Sequence, residues 1–118
     1  MISLGMVTID TPNPLALANW WATQLGGEVQ PSDTEYFYTV AAPGVPGLLG
    51  FQHVDDPTPG KNRLHLDFNY PAGSDRLPVI AAFVAAGATH LERHDYEGFG
   101  WDRFEDPDGN QFCVGDPH

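Results

Sequence analysis

The chain has 118 residues, 42% of them hydrophobic, which is enough for one domain with a real core but not for two independent domains. Its formal net charge is −11 with only five Lys and Arg residues, and this argues against a surface for nucleic acid or for an anionic membrane, since both need clustered cations. There is no apolar run of membrane-spanning length and no leader, and the one cysteine excludes an internal disulfide, so we expect a cytoplasmic protein.

The first half of the chain predicts one helix among several strands. Asn13 is a good N-cap, and Pro14 suits the first helical position, where a missing N–H costs nothing. Apolar side chains then recur at helical spacing until Gly26 ends the helix. The alternating segments that predict strands are residues 2–10, 28–30, 35–41 and 48–54.

The second half repeats this order after a polar linker at residues 55–62. Residues 63–70 alternate most clearly: Leu64, Leu66 and Phe68 are expected to cover a helix, while His65 and Asp67 point to the other side of the strand. A helix is predicted at residues 74–87, followed by strands at 89–94, 99–105 and 111–115.

Each half therefore has the order β-α-β-β-β, which predicts an α+β protein. We expect one domain over residues 1–118, made of a repeat at about 1–54 and a second at about 63–118. The two repeats would form a curved mixed sheet around a shared cleft, and in duplicated folds of this kind ligands bind at the seam.

Residues in both halves carry a resemblance to a known superfamily. They are Pro14, Trp20-Trp21 and Leu25-Gly26-Gly27 in the first half, and the segments 61–67, 87–88 and 106–112 in the second. In this order and spacing they resemble the vicinal oxygen chelate superfamily: glyoxalase I, fosfomycin-resistance enzymes, extradiol dioxygenases and bleomycin-resistance binding proteins. Within it, the chain is most similar to the small glyoxalase-like proteins. The resemblance implies a small-molecule ligand and a homodimer.

The resemblance also implies where a metal would bind. Members with metal chemistry hold one divalent ion with His, Gln or Glu from the first and last strands of each repeat. Those positions fall here on Met6, on Gly50 or Gln52, on His65 and on Cys113. Because a thioether is a poor ligand for such ions, we expect no metal site. If Zn, Mn, Ni or Fe is bound, the ligands would be His65, Gln52 and Cys113.

The strand alternation selects the candidate site residues. His65 is predicted to face the cleft as the acid–base residue, with Asp67 as its partner; the alternative is a hydrogen-bonded histidine with a structural role. Trp101 offers a stacking surface, and Arg103 on the same strand would fix a carboxylate or phosphate ester. The alternative is that Arg103 pairs with Glu105 or Asp67. The predicted substrate-binding residues are Met6, Phe37, Gln52, Trp101, Arg103 and Cys113.

The single cysteine and three of the histidines are predicted to have no role in chemistry. Cys113 could be a thiolate nucleophile, but we interpret it as a small buried side chain because the sequence shows no activating base. His53, His90 and His94 show no ligand spacing with one another, and we predict that they lie on the surface.

Three functions fit these residues. The protein binds or converts a small molecule in the cleft without a full set of metal ligands, through His65 and Asp67. Alternatively, it is a metal-free binding protein of the bleomycin-resistance type, whose acidic, Trp-lined cleft takes a cationic aromatic compound. The third hypothesis is a divalent-metal-dependent lyase or dioxygenase centred on His65.

Overall fold

The computed structural model describes residues 1–117, which form two four-stranded mixed sheets and two helices. The chain divides into two compact units, Met1–Pro59 and Gly60–His118, which we call repeat 1 and repeat 2. Their boundary falls inside the predicted linker. The α+β class and the two βαβββ repeats are confirmed; the cleft shared by the repeats and the single domain stay predictions. Within the described residues, neither helix is long and apolar enough to cross a membrane.

Repeat 1 contains one helix and one sheet with the strand order β1-β4-β3-β2, in which β1 runs parallel to β4. The first strand begins at Met6 rather than at residue 2, because its partner β4 begins at Leu48, which is paired with Met6. The elements are β1 (Met6–Thr11), α1 (Pro14–Leu25), β2 (Glu28–Val29), β3 (Phe37–Ala41) and β4 (Leu48–His53).

Helix α1 begins at Pro14 and ends before Gly26, as predicted. Gly26 adopts the left-handed conformation with φ 63°, which glycine reaches without a steric cost. Gly27 lies so close to the end of β3 that a Cβ at this position would overlap the carbonyl oxygen of Ala41. The Gly26-Gly27 pair thus both ends the helix and lets the chain pass close to the sheet.

Repeat 2 has the same architecture, with the strand order β5-β8-β7-β6. Strand β5 is shorter than predicted: it begins at Leu66, so His65 precedes it, and Leu64 is 91% exposed rather than packed on the helix. The second helix begins at Arg76, after Asp75, whose side chain accepts a hydrogen bond from the Leu77 N–H. The elements are β5 (Leu66–Asn69), α2 (Arg76–Ala85), β6 (Thr89–Tyr96), β7 (Phe99–Glu105) and β8 (Gln111–Gly115).

The core of repeat 2 lies between α2 and one face of its sheet. Phe104 and Phe112 are buried on neighbouring strands, and Phe83 of α2 meets Phe104 edge to face with ring centroids 5.3 Å apart. We call this side of the sheet the helix face and the opposite side the open face. Residues on each strand alternate between the two faces.

Asp102 of β7 lies on the helix face and is fully buried. Its carboxylate accepts hydrogen bonds from the Tyr70 hydroxyl at 2.7 Å and from the guanidinium groups of Arg76 and Arg93, both at 3.2 Å, while Nε2 of His90 lies 2.9 Å away. Burial would raise the pKa of Asp102, but these hydrogen bonds and the two cations outweigh it, and the pKa is lowered. His90 is thus half-buried, with 30% of its side chain exposed, and it is tied to the buried carboxylate rather than free at the surface.

A β-bulge in β6 changes which residues of that strand face which side. The pairing register shifts between His90, which is opposite Phe104, and Glu92, which is opposite Arg103. Two residues separated by one position normally share a face of a strand, but the extra residue in the bulge breaks this rule. As a result His90 belongs to the helix face and Glu92 to the open face.

Candidate functional site

The open face of the repeat 2 sheet carries a row of polar side chains that crosses all four strands. The register pairs Asp67 of β5 with Cys113 of β8, Cys113 with Arg103 of β7, and Arg103 with Glu92 of β6. Because directly opposite residues point to the same side, these four side chains lie next to one another. Asp102, fixed on the helix face, ensures that its neighbours Trp101 and Arg103 point to the open face.

A cavity of about 530 Å³ lies on this face. Its lining is mixed, with aromatic rings beside charged and amide side chains, as in small-molecule sites. Gly115 is opposite Trp101 in the register, and the ring of Phe99 packs where a side chain at position 115 would lie. The lining residues are Lys61, His65, Asp67, Phe68, Asn69, Phe99, Trp101, Arg103, Gln111, Phe112, Cys113 and Gly115.

His65 and Asp67 form a hydrogen-bonded pair at this cavity. Nδ1 of His65 lies 3.0 Å from Oδ1 of Asp67, and 42% of the His65 side chain is exposed. With the proton on Nδ1 donated to the carboxylate, Nε2 keeps its lone pair and can accept a proton. The two residues predicted as an acid–base pair are thus in contact, and the ring lines the cavity.

Cys113 is adjacent to this pair. Burial is the main cause that raises the pKa of its thiol, and the negative charge of Asp67 and a hydrogen bond to that carboxylate add to it. The thiol therefore stays protonated at neutral pH, which argues against a thiolate nucleophile. Asp67 interacts with both His65 and Cys113, and it holds the small cluster together.

Arg103 is anchored at the floor of the cavity by two neighbours. One guanidinium nitrogen, Nη1, donates to Oε1 of Gln111 at 3.0 Å, and Nη2 donates to Glu92. The expected alternative partners, Glu105 and Asp67, are therefore wrong. The Nε atom is buried and has no hydrogen-bond partner among residues 1–117. Such an orphaned buried donor costs free energy, so the position of this guanidinium is set by its two Nη contacts and by packing.

Trp101 lines the cavity, and two aromatic rings lie beside its indole. The ring of His94 is stacked on the indole at 5.2 Å with an interplanar angle of 21°, and Phe99 lies at 6.2 Å. Nε2 of His94 also lies 3.1 Å from Glu92, whose pKa is lowered mainly by this hydrogen bond and further by Arg103. His94 is thus a support of the site rather than an isolated surface residue.

The predicted substrate-binding residues of repeat 1 lie on one face of their own sheet. Phe37 is paired with Gln52, and a Cβ on Gly50 would lie 2.9 Å from Met6 Sδ and 3.0 Å from Phe37 Cζ. Met6 and Phe37 therefore flank Gly50, and Gln52 is exposed on the same face. The part of these three residues in ligand binding stays a prediction.

The sequence of residues 6–115 matches the glyoxalase-like domain family. The chain belongs to this family. The predicted membership of the vicinal oxygen chelate superfamily is thereby confirmed, while no curated protein sequence matches the chain significantly.

Solved structures of glyoxalase-like proteins share the fold at low sequence identity. A glyoxalase/bleomycin resistance protein/dioxygenase family enzyme from Burkholderia phytofirmans has a TM-score of 0.81 and 18% identity, with 98% of each chain covered. For a fosfomycin resistance protein from Listeria monocytogenes the values are 0.77 and 15%, with 100% of this chain and 96% of that chain covered. Lactoylglutathione lyase from Agrobacterium tumefaciens gives 0.69 and 14%, covering 97% and 92%. At these identities the similarity concerns the fold alone.

Members of this superfamily often bind divalent metals, so the donors of this chain need to be compared with that chemistry. His65, Asp67 and Cys113 have ligand atoms within 4.8 Å of one another. However, the set contains only one imidazole and one carboxylate, and the thiol must lose its proton before it can act as a ligand. In repeat 1 the corresponding strand offers the thioether of Met6, a weak ligand for Mg, Mn, Fe or Zn. These donors do not fit the His, Gln and Glu set that the resemblance implies.

Several residues of this glyoxalase-like site were missed in the sequence. Lys61 lies in the predicted linker, where the sequence has no periodicity that shows its direction. Glu92 and His94 could have been found only with knowledge of the bulge that turns them to the open face. Gln111 was also missed, although the sequence contains the signal for it: it is two residues from Cys113 on β8 and so shares the open face.

Proposed function

We propose that this glyoxalase-like protein binds a small organic molecule in the cavity on the open face of repeat 2 and moves a proton on it through His65. The observation that carries the proposal is the His65–Asp67 hydrogen bond at the cavity. The cavity volume, about 530 Å³, lies within the roughly 300–1,000 Å³ typical of such sites.

The chemistry assigned to His65 follows from the hydrogen bond between its Nδ1 atom and Asp67, which leaves Nε2 available to the ligand. Asp67 fixes the proton on Nδ1 and stabilises the imidazolium that forms when Nε2 takes a proton from the ligand. On a ligand with a C–H bond next to a carbonyl, the C–H electrons would form a C=C bond while the carbonyl π electrons move to oxygen. Returning the proton to that oxygen gives the enol, so no oxidant, reductant or metal is needed.

Sequestration without turnover is the main competing function. It uses the same cavity, but it needs no base, so the proton-transfer role of His65 separates the two. The two functions also differ in the ligand they favour. Sequestration of the bleomycin-resistance type would take a cationic aromatic compound, which Lys61 and Arg103 in the cavity lining would repel.

Phenylpyruvate is a suitable probe because it carries an aromatic ring and an acidic CH₂ beside a carbonyl. We expect it to shift the indole N–H resonance of Trp101 in NMR spectra; this signal can be assigned with Trp101→Phe. We also expect the protein to accelerate its enolisation, followed by ultraviolet absorbance, and His65→Gln to lower this rate by about 10²-fold or more.

The matched control for His65→Gln is His53→Gln. His53 lies 3.3 Å from Asp55, so it forms the same kind of His–Asp pair in repeat 1, outside the repeat 2 cavity. The control should enolise phenylpyruvate as fast as the unmodified protein. An equal rate for His65→Gln and the unmodified protein would refute the proton-transfer role, and an unshifted Trp101 signal at saturating probe would refute binding at this cavity.

A further inference from the structure

The cations of this acidic chain are distributed very unevenly. All five Lys and Arg residues lie in repeat 2. Arg76 and Arg93 hold the buried carboxylate of Asp102 on the helix face. Of the other three, Lys61 and Arg103 line the same cavity on the open face. Such a concentration of scarce cations needs a physical reason.

The two cavity cations keep donors that their neighbours do not use. Lys61 forms no ion pair with any residue in the range 1–117. Arg103 is held in place by Gln111 and Glu92, which accept from two of its five N–H groups, and 32% of its side chain is exposed. An ammonium group and a guanidinium edge with free donors are the usual partners of a carboxylate or another oxyanion.

The carboxylates near the cavity are already engaged. Asp67 interacts with His65 and Cys113, and Glu92 is shared by Arg103 and His94. An entering anion therefore meets Glu92, whose charge is compensated by Arg103, and Asp67, whose charge is hydrogen-bonded but not neutralised, together with two cationic donors that still have capacity. This reduces the repulsion expected from the net charge of the whole protein.

The wall beside Arg103 favours a flat group. Trp101 and Arg103 are two residues apart on β7 and so share the open face. The residue opposite Trp101 is Gly115, which carries no side chain. His94 already stacks on the indole, so the aromatic surface is fixed in orientation. A planar ligand can pack against this wall with little loss of conformational freedom.

We infer that the ligand of this site is a small planar carboxylate, such as an aryl or conjugated keto acid, with its oxyanion between Arg103 and Lys61 and its flat part against Trp101. This inference rests on the proposed function and specifies its ligand class. The overall acidity of the chain would favour a cationic aromatic ligand instead. We expect an anion because the charges in contact with the ligand are those of Lys61 and Arg103.

The test compares three probes of nearly equal shape and different charge: phenylacetate, phenylacetamide and phenethylamine. Each is titrated into the protein at pH 7.5 while the Trp101 indole N–H resonance is followed. We expect phenylacetate to bind about tenfold more tightly than phenylacetamide, as for the gain of one charge-assisted hydrogen bond, and phenethylamine to bind most weakly.

Two variants locate the charge effect. Arg103→Gln and Lys61→Gln should each remove most of the preference for phenylacetate over phenylacetamide, while Arg63→Gln, at an exposed position outside the cavity lining, should keep it. Because Arg103 is partly buried, the folding of its variant is checked by circular dichroism, and Lys61→Gln gives an independent readout.

The outcomes separate this inference from the function on which it rests. Equal affinities for the three probes, or tightest binding of phenethylamine, would overturn the carboxylate class while leaving a small-molecule site at this cavity. Failure of phenylacetate and phenylpyruvate alike to move the Trp101 signal would overturn both. A charge preference with normal enolisation by His65→Gln would leave the ligand class intact and remove only the proton-transfer role.

Discussion

The buried carboxylate of Asp102 provides the sharpest test of how β7 is held in place. Asp102→Asn removes the negative charge between two guanidinium groups and leaves only one acceptor oxygen for their donors and for Tyr70. Removing one partner of a buried ion pair typically costs about 3–5 kcal/mol. Because 34% of the Arg76 side chain is exposed and can be resolvated, we expect the lower end, about 3 kcal/mol.

This loss can be measured by urea denaturation and by thermal melting. With an unfolding entropy of about 2.1 cal/mol/K per residue over 118 residues, about 3 kcal/mol lowers the melting temperature by about 12 °C. Asp56→Asn, at an exposed position before the repeat boundary, is the matched control and should stay within about 0.5 kcal/mol of the unmodified protein. Two variants of equal stability would refute the role given to the Asp102 cluster.

The lowered pKa of Asp102 predicts the direction in which the stability of the fold changes in acid. Although burial alone would raise it, the pKa of Asp102 is lowered in the folded chain by its hydrogen bonds and cations. Its contribution is therefore fully present above the unfolded pKa of about 3.9 and is lost as the pH falls through the folded value. Asp102→Asn should remove this part of the pH dependence below about pH 4; an unchanged acid transition would contradict the assignment.

Two further predictions concern a close backbone approach and a thiol. Gly27→Ala should destabilise the protein by about 1–3 kcal/mol in urea denaturation, because the added Cβ overlaps the Ala41 carbonyl oxygen, while Gly44→Ala, where the space is open, should not; similar losses for both would contradict this packing. Cys113 should react with iodoacetamide at pH 7.5 far more slowly in the folded chain than in urea, and Asp67→Asn should speed the folded reaction, since burial and the Asp67 charge raise the thiol pKa; a fast reaction of the folded chain would show a thiolate.

Local patterns in the sequence were sufficient for much of the fold. Strands β7 and β8 occupy the predicted ranges, because alternation and the turn between them define both ends. Helix α1 begins at Pro14, where the missing N–H and the fixed φ favour a first helical turn. Leu64 shows the limit of such patterns, because an alternating residue is buried only if the neighbouring strand extends far enough to pair with it.

The site was only partly predictable for the same reason. The pairing of His65 with Asp67 and the common direction of Trp101 and Arg103 follow from spacing by two along a strand. The pairing of Arg103 with Glu92 does not, because Glu92 reaches the open face through the bulge in β6. A bulge depends on the pairing of two strands, and a single strand's sequence does not indicate it.

A crystal structure of the protein with phenylpyruvate tests the central claim most directly, namely that the open face of the repeat 2 sheet is the ligand site. We predict the probe beside Trp101, with its carboxylate at Arg103 and its CH₂ facing Nε2 of His65. Ordered probe bound elsewhere, for example beside Tyr36 and Tyr38 of repeat 1, with an empty repeat 2 cavity, would contradict the account.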